Sequence, residues 1–138
     1  DCDVLFMLDH DIEYDPKDVV EMCRRAKESR AIVGGLYAKR DADRGFSSRM
    51  VPDEGSTDKT TIVVGEDKLV PAAYVATGFM AVPRQVSELI PSAYEYLSED
   101  WSFCHRAAAL GFKSYVWTAP RLTHWGKKGY AVEEGVRS

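Results

Sequence analysis

Apolar and polar residues alternate along the chain in a pattern that predicts a strand, a helix and a second strand. The run Val4–Leu8 (VLFML) is apolar throughout, as in a strand buried on both faces. Asp15 followed by Pro16 is a helix-start signal, and apolar residues at three- and four-residue spacing continue to about Ser29. The next apolar run, 31–38 (AIVGGLYA), predicts another strand. This order is typical of an α/β fold with a parallel or mixed sheet flanked by helices.

The rest of the chain predicts further short elements within a single domain, residues 1–138. Polar and glycine-containing residues predict a mobile loop at 39–59, and the charged end predicts a tail at 127–138. Between them we expect a hairpin at 60–70, paired strand segments at 72–82, helices at 83–90 and 98–110, a strand at 113–119 and a strand end at 121–126.

Composition and charge narrow the class of protein. The 138 residues are 45% hydrophobic and 29% charged, and the net charge of −4 disfavours a nucleic-acid binder. Cys2, Cys23 and Cys104 form no C-x-x-C pair, so we interpret them as reduced thiols of a cytoplasmic protein. The longest apolar run is too short to cross a membrane, which leaves peripheral contact with the inner membrane face compatible with the sequence.

Two aspartates follow the first predicted strand. Ligands of open α/β sheets collect at the carboxyl ends of strands, where Asp9 and Asp11 stand. In extended geometry, two carboxylates one residue apart lie on the same side and can turn toward one Mn²⁺ or Mg²⁺ ion, because hard cations prefer oxygen ligands. The competing interpretation is that both are loop residues before the helix capped by Asp15.

Two later segments carry further candidates. Glu99 and Asp100 fall in the first turn of a predicted helix, where carboxylates also stabilise the helix end without any other role. His124 ends a strand and is followed by glycines and two lysines. A neutral imidazole is a good ligand for divalent metals, although a single histidine is more often structural.

Taken together, the order of segments resembles a known family. LDHD, GGLYAKR, ATGFMAVPRQV, SEDWSFCHRAAALGF and RLTHWG follow one another as in the C-terminal half of A-type-fold (GT-A) glycosyltransferases, nucleotide-sugar enzymes related to family 2. The resemblance covers residue 3 to about residue 129. It implies a partial GT-A, Rossmann-like mixed sheet flanked by helices that lacks the N-terminal nucleotide-binding half.

The resemblance also implies a reaction, the transfer of a sugar from a nucleotide-sugar donor to an acceptor hydroxyl of a saccharide, lipid-linked or protein acceptor. Asp100, beside Glu99, matches the general base of inverting members. The implied metal ligands for Mn²⁺ or Mg²⁺ are Asp9, Asp11 and His124. The implied donor and acceptor contacts are Asp9, Thr77, Gly78, Phe79, Trp101 and Lys127.

Two other interpretations compete with this one. A non-catalytic remnant or interaction module would keep the fold and bind nucleotide sugar weakly or not at all. A haloacid dehalogenase-like phosphohydrolase also places Asp-x-Asp after an apolar strand, but it expects Thr or Val where this chain has Glu13. Without a preceding half, the flank of Val4–Leu8 would be exposed, which predicts a homo-oligomer through that sheet edge.

Overall fold

The architecture was obtained from a computed structural model that describes residues 3–39, 47–50, 62–89, 99–126, 129–131 and 136–137. These residues form eleven strands and three helices. The strands are β1 (Val4–Leu8), β2 (Ile12–Glu13), β3 (Ile32–Gly35), β4 (Arg49–Met50), β5 (Ile62–Val63), β6 (Leu69–Tyr74), β7 (Phe79–Pro83), β8 (Ser114–Trp117), β9 (Thr123–Trp125), β10 (Gly129–Ala131) and β11 (Val136–Arg137). The helices are α1 (Pro16–Ser29), α2 (Arg84–Leu89) and α3 (Glu99–Ala109).

The main sheet is mixed. Its strand order within the described residues is β1-β7-β3-β8-β6-β4. β3 and β8 run parallel, and the other neighbouring pairs are antiparallel. Two smaller sheets, β10-β9-β2 and β11-β5, accompany it. The predicted α/β class with a mixed sheet flanked by helices is therefore confirmed.

Helix α1 begins and ends where local signals place it. The Asp15 side chain accepts a hydrogen bond from the backbone N–H of Lys17 at 3.0 Å, and Pro16 occupies the first turn. At the other end Arg30 adopts a left-handed conformation with φ 51°, and its N–H donates to the Ala26 carbonyl. Met22 and Ala26 are fully buried, so this face of α1 packs on the sheet.

Helices cover both faces of the sheet. One buried cluster joins α1 to strand residues such as Val33, and the other joins α2 and α3 to residues such as Ile32. Because successive strand residues point to opposite faces, this alternation places α1 on one face and the other two helices on the second. Val86 of α2 is fully buried.

Close packing explains the glycine pair in β3. An ideal Cβ at Gly34 would lie 1.8 Å from Val75 Cγ1, and one at Gly35 would lie 2.6 Å from Leu122 Cδ1. Neither position can hold a side chain without displacing a buried neighbour. The glycines therefore let the segment before Phe79 and the segment before β9 approach the centre of the sheet.

Three expectations about the strands are wrong, one about burial and two about pairing. β1 lies at the edge of the main sheet, and Leu5 and Leu8 are 46% and 38% exposed, so it is not a strand buried on both faces. β5 and β6 do not form a hairpin, because β5 pairs with β11 and β6 with β8 and β4. β6 and β7 are both strands, but they are not neighbours in the sheet.

Other predictions fall partly outside the described residues. Most of the predicted loop at 39–59 is not described, but its residues Arg49–Met50 form β4. The predicted tail contributes β10 and β11. Across the described segments, the helices are too short or too polar to traverse a lipid bilayer.

Candidate functional site

A turn connects β1 to β2 and carries the two candidate aspartates. Asp9 follows β1, and its backbone N–H donates to the Gly78 carbonyl at 2.9 Å. His10 and Asp11 form the turn, which the Ile12 N–H closes on the Asp9 carbonyl at 3.3 Å. The aspartates therefore do not share the extended geometry expected from the sequence. Asp9 is exposed, whereas the Asp11 side chain is mostly buried.

The small sheet β10-β9-β2 places the turn between β1 and β2 beside β9. β2 pairs with β9 so that Ile12 stands opposite His124, and the Trp125 N–H donates to the Asp11 carbonyl at 2.7 Å. The Trp125 indole N–H also donates to a Glu13 carboxylate oxygen at 3.2 Å. Antiparallel pairing thus fixes Asp11 and His124 as neighbours although 113 positions separate them.

Asp11 and His124 are in direct contact. The His124 Nε2 lies 3.2 Å from Asp11 Oδ2, and the side chains are 13% and 17% exposed respectively. The other ring nitrogen, Nδ1, lies 2.9 Å from the Ala38 carbonyl oxygen. The imidazole is therefore held at both nitrogens in a largely buried position.

The hydrogen-bond partners of His124 restrict what the ring can be. A carbonyl oxygen only accepts, so Nδ1 carries a proton and donates it to Ala38. In a neutral ring Nε2 then has a lone pair, which faces the carboxylate of Asp11. The Nε2 lone pair and the carboxylate oxygen are both acceptors, so a favourable contact between them needs a proton or a cation between the two atoms. An imidazole whose second nitrogen donates to a backbone carbonyl is the usual arrangement of a metal-binding histidine.

Gly78 lies at the meeting point of the turn and β7. A Cβ at this position would lie 2.4 Å from the Tyr37 hydroxyl and 2.9 Å from Asp9 Oδ2. Thr77 is half-buried beside it. Phe79 is fully buried, with its ring 4.9 Å from that of Phe6 in an edge-to-face arrangement, so the structure places it in the core next to the site.

Tyr37 belongs to the same cluster, although the sequence analysis did not single it out. Its hydroxyl accepts a hydrogen bond from the Gly78 N–H at 3.1 Å, and its ring packs edge-to-face on His124 with centroids 5.3 Å apart. The local signal is an aromatic residue directly after a buried Gly-Gly-Leu run. Such a pattern indicates a core residue, which is why spacing alone does not reveal its neighbours.

The remaining candidates cannot be related to this cluster. Glu99, Asp100 and Trp101 form the first turn of α3, but only their backbone is described. Lys127 lies outside the described residues. Their proximity to Asp11 and His124 therefore stays a prediction.

The donor atoms of the cluster suit a small divalent cation. Carboxylate oxygen and imidazole nitrogen are ligands of Mn²⁺ and Mg²⁺ class ions. The 3.2 Å between His124 Nε2 and Asp11 Oδ2 is the distance of a hydrogen bond or ion pair, and the same two atoms could turn to a shared cation. Among the side chains that the structure describes, no three His, Cys, Asp or Glu residues are grouped tightly enough to complete such a site. Asp11 and His124 would thus supply two ligands of such a cation, and water or a substrate would supply the others.

Comparison with known proteins supports the fold. No family model and no curated protein matches the chain. The chain is similar to the crystal structure of A197 from STIV, with a TM-score of 0.64 and 18% sequence identity. The match covers 97% of this chain and 64% of that one, so the chain spans less than two thirds of the length of this neighbour. At this identity, the likeness shows a shared mixed α/β fold and nothing about activity.

Proposed function

We propose that the cluster binds Mn²⁺ or Mg²⁺ together with the diphosphate of a nucleotide sugar, and that the chain is the metal- and acceptor-binding part of a glycosyltransferase. The observation that carries the proposal is the contact between His124 Nε2 and Asp11 Oδ2, with the opposite ring nitrogen fixed on Ala38. The order of sequence segments that resembles GT-A enzymes supports the same assignment.

Asp11 and His124 would hold the cation, and Asp9 stands in the same turn with an exposed carboxylate. When bound, the cation supplies charge neutralisation for a departing diphosphate. Backbone groups fix the position of both residues, because the Trp125 N–H donates to the Asp11 carbonyl and the Ala38 carbonyl accepts from the His124 ring. A site that is already ordered binds its cation without first having to arrange the ligands.

Asp100 is proposed as the general base of an inverting transfer, with Glu99 beside it. The acceptor hydroxyl loses its proton to the Asp100 carboxylate while its oxygen bonds to the anomeric carbon of the sugar. The bond from that carbon to the diphosphate oxygen breaks, and the diphosphate leaves with its electron pair. Attack from the face opposite the leaving group inverts the anomeric configuration.

Calorimetric titration with Mn²⁺, in the presence and absence of a nucleoside diphosphate, tests the proposal. We expect wild-type binding that tightens with the diphosphate, and in Asp11→Asn and His124→Gln a loss of affinity at least as large as the roughly ten- to hundredfold typical of residues that only orient metal ligands. His105→Gln, an exposed histidine on α3, is the matched control and is expected to bind as the wild type does. Thermal melts of each variant without metal show whether it is folded.

Thermal melts with and without Mn²⁺ and the diphosphate separate the proposal from the alternative of a non-catalytic module. A ligand that binds the native state raises its stability by mass action, by about 2.7 kcal/mol at a ligand concentration of 100 Kd. A melting temperature that stays the same with Mn²⁺ and diphosphate would contradict the glycosyltransferase proposal and favour a chain that keeps only the fold.

A further inference from the structure

Tyr37 occupies a buried position between the two parts of the candidate site. The residue is 5% exposed and lies two positions after the end of β3. The Tyr37 carbonyl accepts a hydrogen bond from the Ser47 N–H at 3.1 Å, which holds the backbone of the residue as well. The hydroxyl contacts Gly78 on one side, and the ring contacts His124 on the other.

The hydroxyl of Tyr37 fixes the segment that holds Asp9. It accepts the Gly78 N–H at 3.1 Å, while the Gly78 carbonyl accepts the Asp9 N–H at 2.9 Å. Both the Tyr37 oxygen and Asp9 Oδ2 lie within 3 Å of the place where a Gly78 Cβ would sit, at 2.4 and 2.9 Å. The hydroxyl, the glycine and the carboxylate are therefore packed without room for another atom.

The ring of Tyr37 fixes the orientation of His124. The two rings are nearly perpendicular, at 85°, with centroids 5.3 Å apart, an arrangement that aromatic pairs favour. The next residue along the chain, Ala38, accepts the hydrogen bond from Nδ1. Two consecutive residues thus set both the plane and the tautomer of the imidazole, and they aim Nε2 at Asp11.

We propose that Tyr37 is a positioning residue that couples the Asp9 side of the site to the His124 side. It would act on cation binding through Gly78 and through the imidazole. The inference rests on the proposed function in one respect, because its measurable consequence is the affinity for the cation. The coupling between Asp9 and His124 through Tyr37 is a property of the metal-free protein. Residues that orient metal ligands typically change metal affinity by about ten- to a hundredfold when they are removed.

Two substitutions separate the hydroxyl from the ring. Tyr37→Phe removes only the oxygen, so we expect the Gly78 and Asp9 amide resonances to shift while the nitrogen resonances of His124 keep the Nδ1–H pattern. Tyr37→Leu also removes the ring, so the His124 resonances are expected to shift as well. Tyr115→Phe, a half-buried tyrosine in β8, is the control and should leave both sets of resonances unchanged.

Calorimetry with Mn²⁺ alone then measures the consequence. We expect Tyr37→Phe to weaken Mn²⁺ binding about tenfold, and Tyr115→Phe to have no effect. Wild-type affinity in Tyr37→Phe, or unchanged Gly78 and Asp9 resonances in the folded variant, would overturn the inference. If the wild type itself fails to bind Mn²⁺, the proposed function fails, and the amide and imidazole resonances of the metal-free variants still decide whether Tyr37 couples the two sides.

Discussion

Individual residues of the candidate site have little freedom to change. His124 is held at both nitrogens, and Gly78 leaves no room for a side chain between Tyr37 and Asp9. A residue with this many fixed neighbours transmits a change at one contact to the next. Substitutions at the site are therefore expected to have effects that depend on one another.

Gly78→Ala tests this dependence. The added methyl would lie 2.4 Å from the Tyr37 hydroxyl, and Tyr37 is buried, so we expect a loss of about 1–3 kcal/mol in the free energy of unfolding. Urea denaturation measures it. In a Tyr37→Phe background the nearest atom is gone, and the cost of Gly78→Ala should be smaller. Strictly additive costs would show that the two residues do not compete for this space.

At the scale of elements, α1 combines a buried face with a network of charged side chains. Met22 and Ala26 pack on the sheet, while Glu21 pairs with Arg24 and Arg25. Hydrogen bonds from Arg24, and then from Arg25, lower the pKa of Glu21 from 4.5 to about 2. Because these charges are in contact with solvent, their contribution to stability is small and weakens with salt.

The pKa of Glu21 predicts a dependence of stability on pH. The folded state keeps this carboxylate ionised at pH values where the unfolded chain protonates it, so the contribution is present above about pH 4.5 and is lost as the pH falls toward 2. Urea denaturation at low salt should show a shallower acid decline for Glu21→Gln than for the wild type. Glu66→Gln, in the exposed turn before β6, is the control. Identical declines in wild type and Glu21→Gln would contradict the assignment.

At the scale of the whole molecule, the sheet has one edge that is both apolar and accessible. β1 pairs with β7 along its full length, and no other described strand pairs with it. Leu5 and Leu8 are 46% and 38% exposed, and the strand contains no charge, proline or bulge of the kind that protects an edge. The expected homo-oligomer through this edge therefore stays a prediction with a physical basis.

Sedimentation velocity at micromolar concentration tests self-association. We expect the wild type to associate and Leu5→Lys to sediment as a monomer, because a charge on an edge strand opposes pairing with a second chain. Leu110→Lys places the same charge at another exposed leucine, after α3, and should leave association unchanged. A wild type that is a clean monomer would rule out this edge as a contact between copies.

The sequence predicted what depends on neighbouring residues. The helix from Pro16 to Ser29 follows from its Asp15 cap and apolar spacing, and the end of α3 before Gly111 follows from the φ of 90° that a glycine adopts readily. The α/β class also followed from the order of elements. Strand partners did not, because the hairpin predicted at 60–70 obeys local turn rules, whereas β5 and β6 pair with distant strands.

For the candidate site, the sequence by itself determined the residue types, and the fold decided which of them meet. The sequence predicts Asp11 after a strand and His124 at a strand end, whereas His124 is the middle residue of β9, and its contact with Asp11 depends on β2 pairing with β9. The local pattern around Tyr37 indicates only a core residue, since its role comes from Gly78 and His124, which lie on other strands or strand ends. Local propensities act over a few residues, whereas side-chain contacts across a sheet depend on strand order and register, which only the tertiary structure decides.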